Sequence, residues 1–468
     1  MAESWRDPRV AAVRLRTPFS RTSTETEPAT ALAHLAAGLG WANDSSGPFG
    51  EVIPAGARVL VKPNFVMHEN RGPWGMAPLV TDPALIRSVV EAALRAGASR
   101  VLVGDAPLQS CKFDHLLRVT ALDAWASELR SCDARFDGLR DFRRTKSAFR
   151  NGIRESFEDQ LPRDQFVLFD LGSDSLLEEI TTNRASFRVT QYSPQEMVKT
   201  HGPGVHQYLV AKDVIESDVI INLPKLKTHK KAGITCALKN LIGINGNKEY
   251  LPHHRVNGTA SGGDCYPGRS LIKEALEYAF DRQNLTKSHI QKTLWHDVAR
   301  ILNKILHITG DELGIEGSWS GNDTIWRTCL DLNRIVLYGR ADGTLADRPQ
   351  RTLVHVVDAV VAGQGDGPLA PQPLELNLLL AGGSAAAIDW IAAQLLGYDP
   401  ERIPISREAF GRFRWPLVSF QPGDVLLHGD LGVGKADDVL KSRPMMDAVL
   451  IPSGWRDAAR NGSALEHQ

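Results

Sequence analysis

Cysteine is scarce and scattered in this chain. Only five cysteines occur in 468 residues, and no two of them lie within four positions of each other. Zinc and iron–sulfur sites need closely spaced cysteines, so the spacing speaks against both kinds of site. An odd, dispersed set of thiols is typical of a reducing cytoplasm, which is the localisation that we predict. Cysteine chemistry is not expected, and Cys236 is the one thiol of interest.

Long apolar runs are also missing. No stretch approaches the roughly 18 uninterrupted apolar residues of a membrane span, and the first residues lack the apolar segment of a secretory signal. The formal net charge of −1 argues against a general nucleic-acid binder. We therefore expect no membrane partner and no nucleic-acid partner. The sequence gives no signal for an oligomeric state or for a particular cofactor.

Acidic residues are nearly absent from one segment, Lys225–Arg255. This segment contains seven Lys/Arg and three His but a single acid, Glu249. A surface helix usually mixes acids among its lysines, whereas this segment concentrates positive charge inside a near-neutral protein. The pattern predicts a site that holds a small anionic substrate bearing a carboxylate or phosphate. The alternative is a solvated basic turn.

Short apolar segments alternate with helical patterns along much of the chain. Arg58–Val61, Arg100–Val103, Phe166–Phe169, Val219–Leu223 and Leu353–Val357 are the predicted strands. Between the first two strands, Thr81-Asp82-Pro83 predicts the start of a helix and Gly97 its end. A strand–helix–strand unit of this kind closes onto a parallel sheet. We predict an α/β fold whose parallel or mostly parallel sheet is flanked by helices, with two lobes around a central crevice and a helical insertion near 269–308.

The domain division follows from the same pattern. We expect an irregular lead-in over 1–50, a main α/β domain over 51–260 with an insertion at 108–200, a helical insertion over 261–335, a second α/β segment over 336–410 that completes the core, and a C-terminal extension over 411–468.

Polar residues follow several predicted strands at the point where each strand ends. Lys62 and Asn64 follow the first, Asp105 the second, and Asp358 the last; Lys225, Lys227 and His229 follow the strand Val219–Leu223. Ligands of open α/β sheets bind outside the carboxyl ends of the strands, so these side chains are predicted to line one crevice. The alternative is that each residue merely ends a turn.

The candidate catalytic residues are Lys225, Lys227, His229 and Asp105. An extended backbone places Lys225 and Lys227 on one face, where their charges repel unless an anion lies between them. Either both lysines clamp the anion, or one is partly neutral and acts as a base or nucleophile. His229 is then the proton partner and Asp105 orients a lysine, since imidazole titrates near neutral pH.

The other candidates are ligand-binding residues, and no metal ligand is predicted because no carboxylate or cysteine lies at ligand spacing from the histidines. They are Lys62, Asn64, Lys239, Asn240, His253, His254, Arg255 and Asp366. Lys62 and Asn64 would close the opposite side of the crevice, and Lys239-Asn240 would begin a short helix that presents N–H groups to an anion. Asp366 lies in a glycine-dense loop whose backbone is expected to approach a ligand, although a plain turn is the alternative.

One motif is discounted. Gly429–Ala436 nearly matches a phosphate-binding P-loop, but Ala436 replaces the Ser or Thr that would hold magnesium. Too few residues follow it to complete a nucleotide triphosphatase core. No Gly-x-Ser-x-Gly elbow occurs either, which disfavours a standard α/β-hydrolase.

Several motifs in register resemble one known family. They are VLVKPNFV, TDPALIRSVVEAALRAGASRVLVGDAP, INLPKLKTH followed by GITCALKNLIG, GNDTIWRTCLDLNRI, and GQGDGPL followed by AAAIDWIAAQLLGYDP. From about residue 58 to about residue 404, the chain resembles the domain-of-unknown-function 362 family, which has no general assigned activity. Some members carry a ferredoxin-like cysteine cluster that this chain lacks. The motifs are also distantly similar to nickel-dependent lactate racemase, a similarity that implies ligand-holding or proton-handling roles for Lys225, Lys227, His229 and Lys239. The nickel cofactor is not carried over.

Three functions remain open at this point. The leading one is an enzyme acting on a small anionic metabolite by proton transfer, of the isomerase or lyase type, because a cation-rich site stabilises a developing enolate-like charge. The second is a non-catalytic binding module for a phosphorylated or nucleotide ligand. The third is an iron–sulfur-linked redox protein, which the cysteine spacing disfavours.

Overall fold

Short segments rich in Val, Ile and Leu form the strands of one central sheet. The computed structural model describes residues 3–16, 26–150, 153–158, 161–189, 193–311, 313–441 and 449–460. Its strands are β1 Arg9–Arg14, β2 Arg58–Pro63, β3 Arg100–Asp105, β4 Phe136–Asp141, β5 Thr145–Arg150, β6 Ile153–Glu158, β7 Phe166–Asp170, β8 Phe187–Arg188, β9 His201–Gly202, β10 Val205–Ala211, β11 Val219–Leu223, β12 Lys225–His229, β13 Gly233–Thr235, β14 His254–Arg255, β15 Thr352–Gln364, β16 Gln372–Gly382, β17 Leu426–Gly429 and β18 Gly434–Lys435.

Helices cover the sheet and connect its strands. They are α1 Thr26–Leu39, α2 Pro83–Arg95, α3 Phe113–Val119, α4 Leu122–Cys132, α5 Pro194–Thr200, α6 Lys212–Glu216, α7 Ala237–Asn240, α8 Leu271–Leu285, α9 His289–Ile308, α10 Ile325–Tyr338, α11 Ala385–Leu395, α12 Pro404–Glu408 and α13 Ala436–Lys441. None of the helices in the described ranges is both long and apolar enough to cross a membrane.

The sheet is mostly parallel, which confirms the predicted fold class. Its strand order is β18-β17-β1-β16-β15-β11-β2-β3-β4, and β12 pairs with the second half of β15. Every neighbouring pair from β4 to β15 is parallel, whereas β16 runs antiparallel to β15 and β1. All five residues of β11 are buried, as expected for a strand covered on both faces.

The first predicted helix starts where its capping residues indicate. Asp82 accepts a hydrogen bond from the Ala84 N–H at 2.8 Å, and Pro83 occupies the first turn of α2. The side chain therefore satisfies one of the N–H groups that a helix start leaves unpaired. Ser384 caps α11 in the same way, accepting a hydrogen bond from the Ala387 N–H.

The first 50 residues are not the irregular lead-in that the sequence suggested. β1 lies inside the central sheet, with Ala11 opposite Ala381 of β16 on one side and His428 of β17 on the other. α1 follows and packs its apolar residues into the core. The prediction failed because alanines give β1 little strand signal, and its partners lie near the far end of the chain.

Two other segments contribute to the sheet beyond their predicted roles. β4, within the segment 108–200, is the edge strand beside β3, and β17, within 411–468, pairs with β1. Both segments are thus partly sheet, although the division into domains itself stays a prediction. The helical insertion near 269–308 is confirmed: α8 and α9 form a hairpin with its own small core around Leu276 and Ala299.

Candidate functional site

The predicted strand exits meet at one edge of the sheet. β3 lies beyond β2 on one side and β15 lies beyond β11 on the other, so the direction of winding reverses between β2 and β11. Such a switch point is where open α/β sheets bind ligands. Lys62 of β2 and Asn222 of β11 stand opposite each other at this point.

Buried side chains of the protein, bonded to one another, occupy the switch point between β2 and β11. The Lys62 ammonium lies 2.7 Å from Asp105 and donates to the Asn240 amide oxygen at 3.2 Å, and both charged side chains are buried. Asn240 in turn donates to the Asn222 side chain at 2.7 Å. A side-chain carbon on Gly243 would lie 2.0 Å from Asp105, so only glycine fits there. Asp105 thus pairs with Lys62, and its predicted catalytic role stays a prediction.

Lys225 is also matched by a carboxylate of the chain. Its ammonium lies 2.6 Å from Asp358 and donates to the Val361 carbonyl at 3.1 Å. Asp358 accepts in addition from the Asp82 N–H at 2.8 Å. The predicted clamp residue Lys225 therefore has its own anion inside the fold.

Lys227 is buried, and no carboxylate of the described residues lies at hydrogen-bond distance from its ammonium. Its ammonium donates to the Asn64 side-chain oxygen at 2.8 Å and to the Leu79 carbonyl. Burial, and next the charge of Lys225, hold the pKa of Lys227 well below its usual value. This arrangement fits the predicted alternative in which one of the two lysines is partly neutral.

Two predicted ligand-binding residues pair elsewhere. Asp366 is exposed and lies 3.2 Å from the Lys230 ammonium, and Arg255 pairs with Asp264 at 3.4 Å. The glycine-dense loop approaches the chain itself, because a side-chain carbon on Gly367 would lie 2.0 Å from the Thr228 carbonyl oxygen. Gly367 is thus explained by packing against β12.

Other members of the cation-rich segment lie close enough to interact electrostatically. We call His229, Lys231, Lys239 and His253 the cationic cluster. Burial comes first among the causes that hold the pKa values of His229 and His253 well below the usual range, and the charges of Lys231 and Lys239 lower both further. Both imidazoles are therefore neutral at physiological pH.

Lys239 is the unusual member of the cluster. Its side chain is buried, yet within the part of the chain that the structure describes no hydrogen bond or ion pair joins its ammonium to another residue. Burial, and also the charge of Lys231, lower its pKa, while the Cys329 thiol acts in the opposite direction. Lys231 itself lies 3.5 Å from the exposed carboxylate of Glu316. Among the described residues, Lys239 is thus the lysine of the cluster without a counter-ion.

The two histidines are held in opposite tautomers. The Nδ1 of His229 accepts from the backbone N–H groups of Lys231 and Ala232, at 3.0 and 3.2 Å, so its proton is on Nε2. His253 places its Nδ1 2.7 Å from the Leu251 carbonyl, to which it must donate, so its Nε2 carries a lone pair. His254, next to it, is buried and its pKa is also lowered, first by burial and then by Lys231.

The first N–H groups of helix α7 are bound by a residue that the sequence analysis did not single out. Asp389 of α11 accepts from the Ala237 N–H at 2.7 Å and from the Leu238 N–H at 3.3 Å. Burial raises the pKa of Asp389 to about 7. Lys231, Cys329 and Glu316 were likewise missed; Lys231 belonged to the cation-rich segment, but nothing in the sequence linked the other two to it.

Metal ligands do not assemble at the site. Within the described ranges, no group of three or more His, Cys, Asp or Glu side chains is arranged to hold a metal ion. The five cysteines are free and dispersed, so the described residues do not fit an iron–sulfur cluster.

A family model described as Domain of unknown function (DUF362) matches residues 59–158 and 163–394. The matched residues make up more than half of the chain and include the whole cationic cluster. The chain belongs to this family. Membership in the DUF362 family brings no assigned activity.

Two further comparisons are weaker. A thylakoid-associated protein of Synechocystis sp., sll1697, is 22% identical over 229 residues, which cover 49% of this chain and 46% of that protein. The chain thus spans about half the length of this curated relative. A solved structure of a Thermotoga maritima protein covers 75% of this chain and 54% of its own, at 10% identity and a TM-score of 0.32. A similarity at that level carries no argument.

Proposed function

We propose that this DUF362 protein binds a small carboxylate- or phosphate-bearing metabolite at the cationic cluster and transfers a proton on it. The observation that carries the proposal is Lys239, whose side chain is buried and whose ammonium has no hydrogen bond or counter-ion among the described residues. Burying an unpaired charge costs free energy, and a bound anion would remove that cost. The anion-holding role predicted for Lys225 and Lys227 passes to Lys239, with Lys231 beside it.

The tautomers of the two histidines support the proton transfer. The Nε2 lone pair of His253 would take a proton from the carbon next to the ligand's acidic group. The Lys239 ammonium would stabilise the enolate-like charge that then develops. The imidazolium formed on His253 would return the proton at another atom of the substrate, while the neutral Nε2–H of His229 donates a hydrogen bond to the developing oxyanion, so that the reaction is an isomerisation or, if a leaving group departs, an elimination.

Solvent exchange tests both halves of the proposal. Small 2-hydroxy, 2-oxo and phosphorylated carboxylic acids are incubated with the full chain in D₂O, and loss of the C–H signal next to the carboxylate is followed by NMR. We expect exchange in at least one compound, its loss in His253→Gln, and loss of binding in Lys239→Met. Lys230→Met is the matched control, because Lys230 comes from the same segment but pairs with Asp366 on the surface.

The outcomes separate the alternatives. Binding that depends on Lys239 without any exchange would make the protein a binding module rather than an enzyme. Binding that is unchanged in Lys239→Met would overturn the site. The cytoplasm is the proposed location because all five cysteines are free thiols.

A further inference from the structure

Helix α9 leaves a row of large aliphatic side chains exposed. Twelve large apolar side chains are exposed in the described residues, and five of them lie on this one helix: Ile290, Leu294, Ile301, Ile305 and Ile308. Because residues three, four or seven positions apart share one face of a helix, these five form a single stripe. Ile290 and Ile308, at its two ends, are 81% and 83% exposed. Scattered exposed apolar residues are ordinary, but a concentration of this kind marks an interaction surface.

The stripe is separate from the face through which α9 packs on the rest of the hairpin. Ala299 and Leu306 of α9 are buried and form the hairpin core with Leu276 and Ala279 of α8. In a helix with 3.6 residues per turn, the first two positions lie nearly opposite the stripe. The hairpin core is therefore complete without the stripe, and its five aliphatic side chains are left in water.

The acids of the hairpin are already engaged. Four acids lie on α8 and α9, and each has a partner: Glu274 with Arg269, Glu277 with the Tyr266 hydroxyl, Asp281 with Arg188, and Asp297 with Arg300. Asp297 is the acid nearest to the stripe, and its carboxylate lies 3.2 Å from the Arg300 guanidinium. The paired charges compensate each other, so the sign of the exposed surface depends on the remaining cations.

Lysines border the stripe on α9. Lys304 follows Ile301 by three residues and precedes Ile308 by four, so it lies beside the stripe. Lys287 precedes Ile290 by three residues, just before the helix begins. Both lysines are exposed, and in the described part of the chain no carboxylate pairs with either of them. α9 as a whole contains three Lys/Arg and three His but one acid. An aliphatic stripe and a surplus of positive charge thus share one exposed surface.

We infer that α9 lies flat on an anionic lipid bilayer, with its stripe at the boundary between the headgroups and the acyl chains. A helix with an apolar face and a cationic flank is the kind that binds at this boundary, and each lysine near the surface adds attraction to anionic lipid. Such a helix does not span the membrane, so the binding requires none of the long apolar runs that the sequence lacks.

The charges and the composition of the stripe favour a bilayer over a protein partner. A second copy of the chain would bring the surplus positive charge of one α9 against that of the other, which opposes pairing. The centres of protein interfaces are enriched in Trp, Tyr and Arg, whereas the stripe consists of Ile and Leu. A bilayer accepts a convex aliphatic stripe without a groove of matching shape.

Flotation of the full chain with lipid vesicles tests the inference. We expect the chain to float with vesicles of equal parts phosphatidylglycerol and phosphatidylcholine but not with phosphatidylcholine alone, and binding should weaken as salt is added. Ile301→Glu should weaken binding at least about tenfold, and Lys304→Gln about fivefold. The matched controls are Val433→Glu and Lys435→Gln, exposed positions on the β17–β18 hairpin, which should leave binding unchanged.

Both Glu variants should keep the wild-type melting temperature, because Ile301 is 57% and Val433 73% exposed. If Ile301→Glu lowers it, Ile308→Glu at the end of the helix replaces this variant in the same comparison. Four results would overturn the inference. They are no flotation with the phosphatidylglycerol vesicles, equal flotation with phosphatidylcholine alone, an Ile301→Glu chain that binds like the wild type, and a wild-type dimer in sedimentation velocity that Ile301→Glu converts to a monomer.

Discussion

The ammonium of Lys225 lies 2.6 Å from the carboxylate of Asp358, and both side chains are buried. Two charges so placed depend on each other, because removing one leaves the other buried without a partner. Lys225 was predicted to bind the ligand. It instead forms an ion pair with Asp358 inside the fold.

Removing one partner of this pair should destabilise the fold. We expect Lys225→Met to lower the free energy of unfolding by about 3–5 kcal/mol, measured by urea denaturation. Asp358→Asn in the same chain removes the unpaired charge and should recover part of the loss. A Lys225→Met chain as stable as the wild type would show that the pair does not support the fold.

Replacing Lys239 should affect stability in the opposite direction to replacing Lys225. Because no counter-ion is present among the described residues, Lys239→Met should not destabilise the fold and is expected to raise the free energy of unfolding by about 1–3 kcal/mol. Urea denaturation of Lys239→Met beside Lys230→Met measures this difference. A clear loss of stability in Lys239→Met alone would mean that its ammonium has a structural role.

Anion binding should weaken as the pH rises. Only the charged ammonium attracts an anion, and the pKa of Lys239 is lowered by burial and by Lys231. Affinity is therefore lost as the pH rises through this lowered pKa, which lies below the ordinary value of 10.5. Calorimetric titration with acetate follows the loss, and Lys239→Arg should retain binding to higher pH. Affinity that is constant into the alkaline range would contradict the assignment.

Acid should destabilise the fold through buried histidines such as His355. Burial lowers the pKa of His355 to about 3. Between about pH 6.5 and pH 3, His355 is therefore protonated in the unfolded chain but not in the folded chain. Stability from this group is complete above that pH and is lost as the pH falls toward 3. Asp389, whose pKa is raised to about 7, acts in the opposite direction over the range from about 4 to 7.

A variant isolates the contribution of His355. Between pH 6.5 and 5, the His355→Gln chain should lose about 2 kcal/mol less stability than the wild type, measured by urea denaturation at both pH values. Equal losses in the two chains would show that His355 is protonated in the folded state.

The sequence predicted the strands and helix starts around the site better than the pairing of its charged side chains. β2, β3 and β11 were recognisable because short apolar runs end in polar residues, and the carboxyl ends of parallel strands meet at one edge. β1 was not predicted because its alanines have little preference for strands. The capping of α2 by Asp82 was a local property and was therefore readable.

Charge pairing was the part that could not be predicted. Lys62, Lys225 and Lys239 look equivalent in the sequence, but Asp105 and Asp358 match the first two and no carboxylate in the described chain matches the third. Whether a lysine meets a carboxylate depends on residues far away along the chain. The tautomers of His229 and His253 likewise depend on backbone groups that only the folded chain supplies.

Anomalous diffraction from crystals soaked in sodium bromide tests most directly whether the cationic cluster holds an anion. The predicted result is a bromide peak within hydrogen-bond reach of the Lys239 ammonium, missing from crystals of Lys239→Met treated in the same way. A map without a peak at the cluster, or with the same peak in both crystals, would contradict the proposed site.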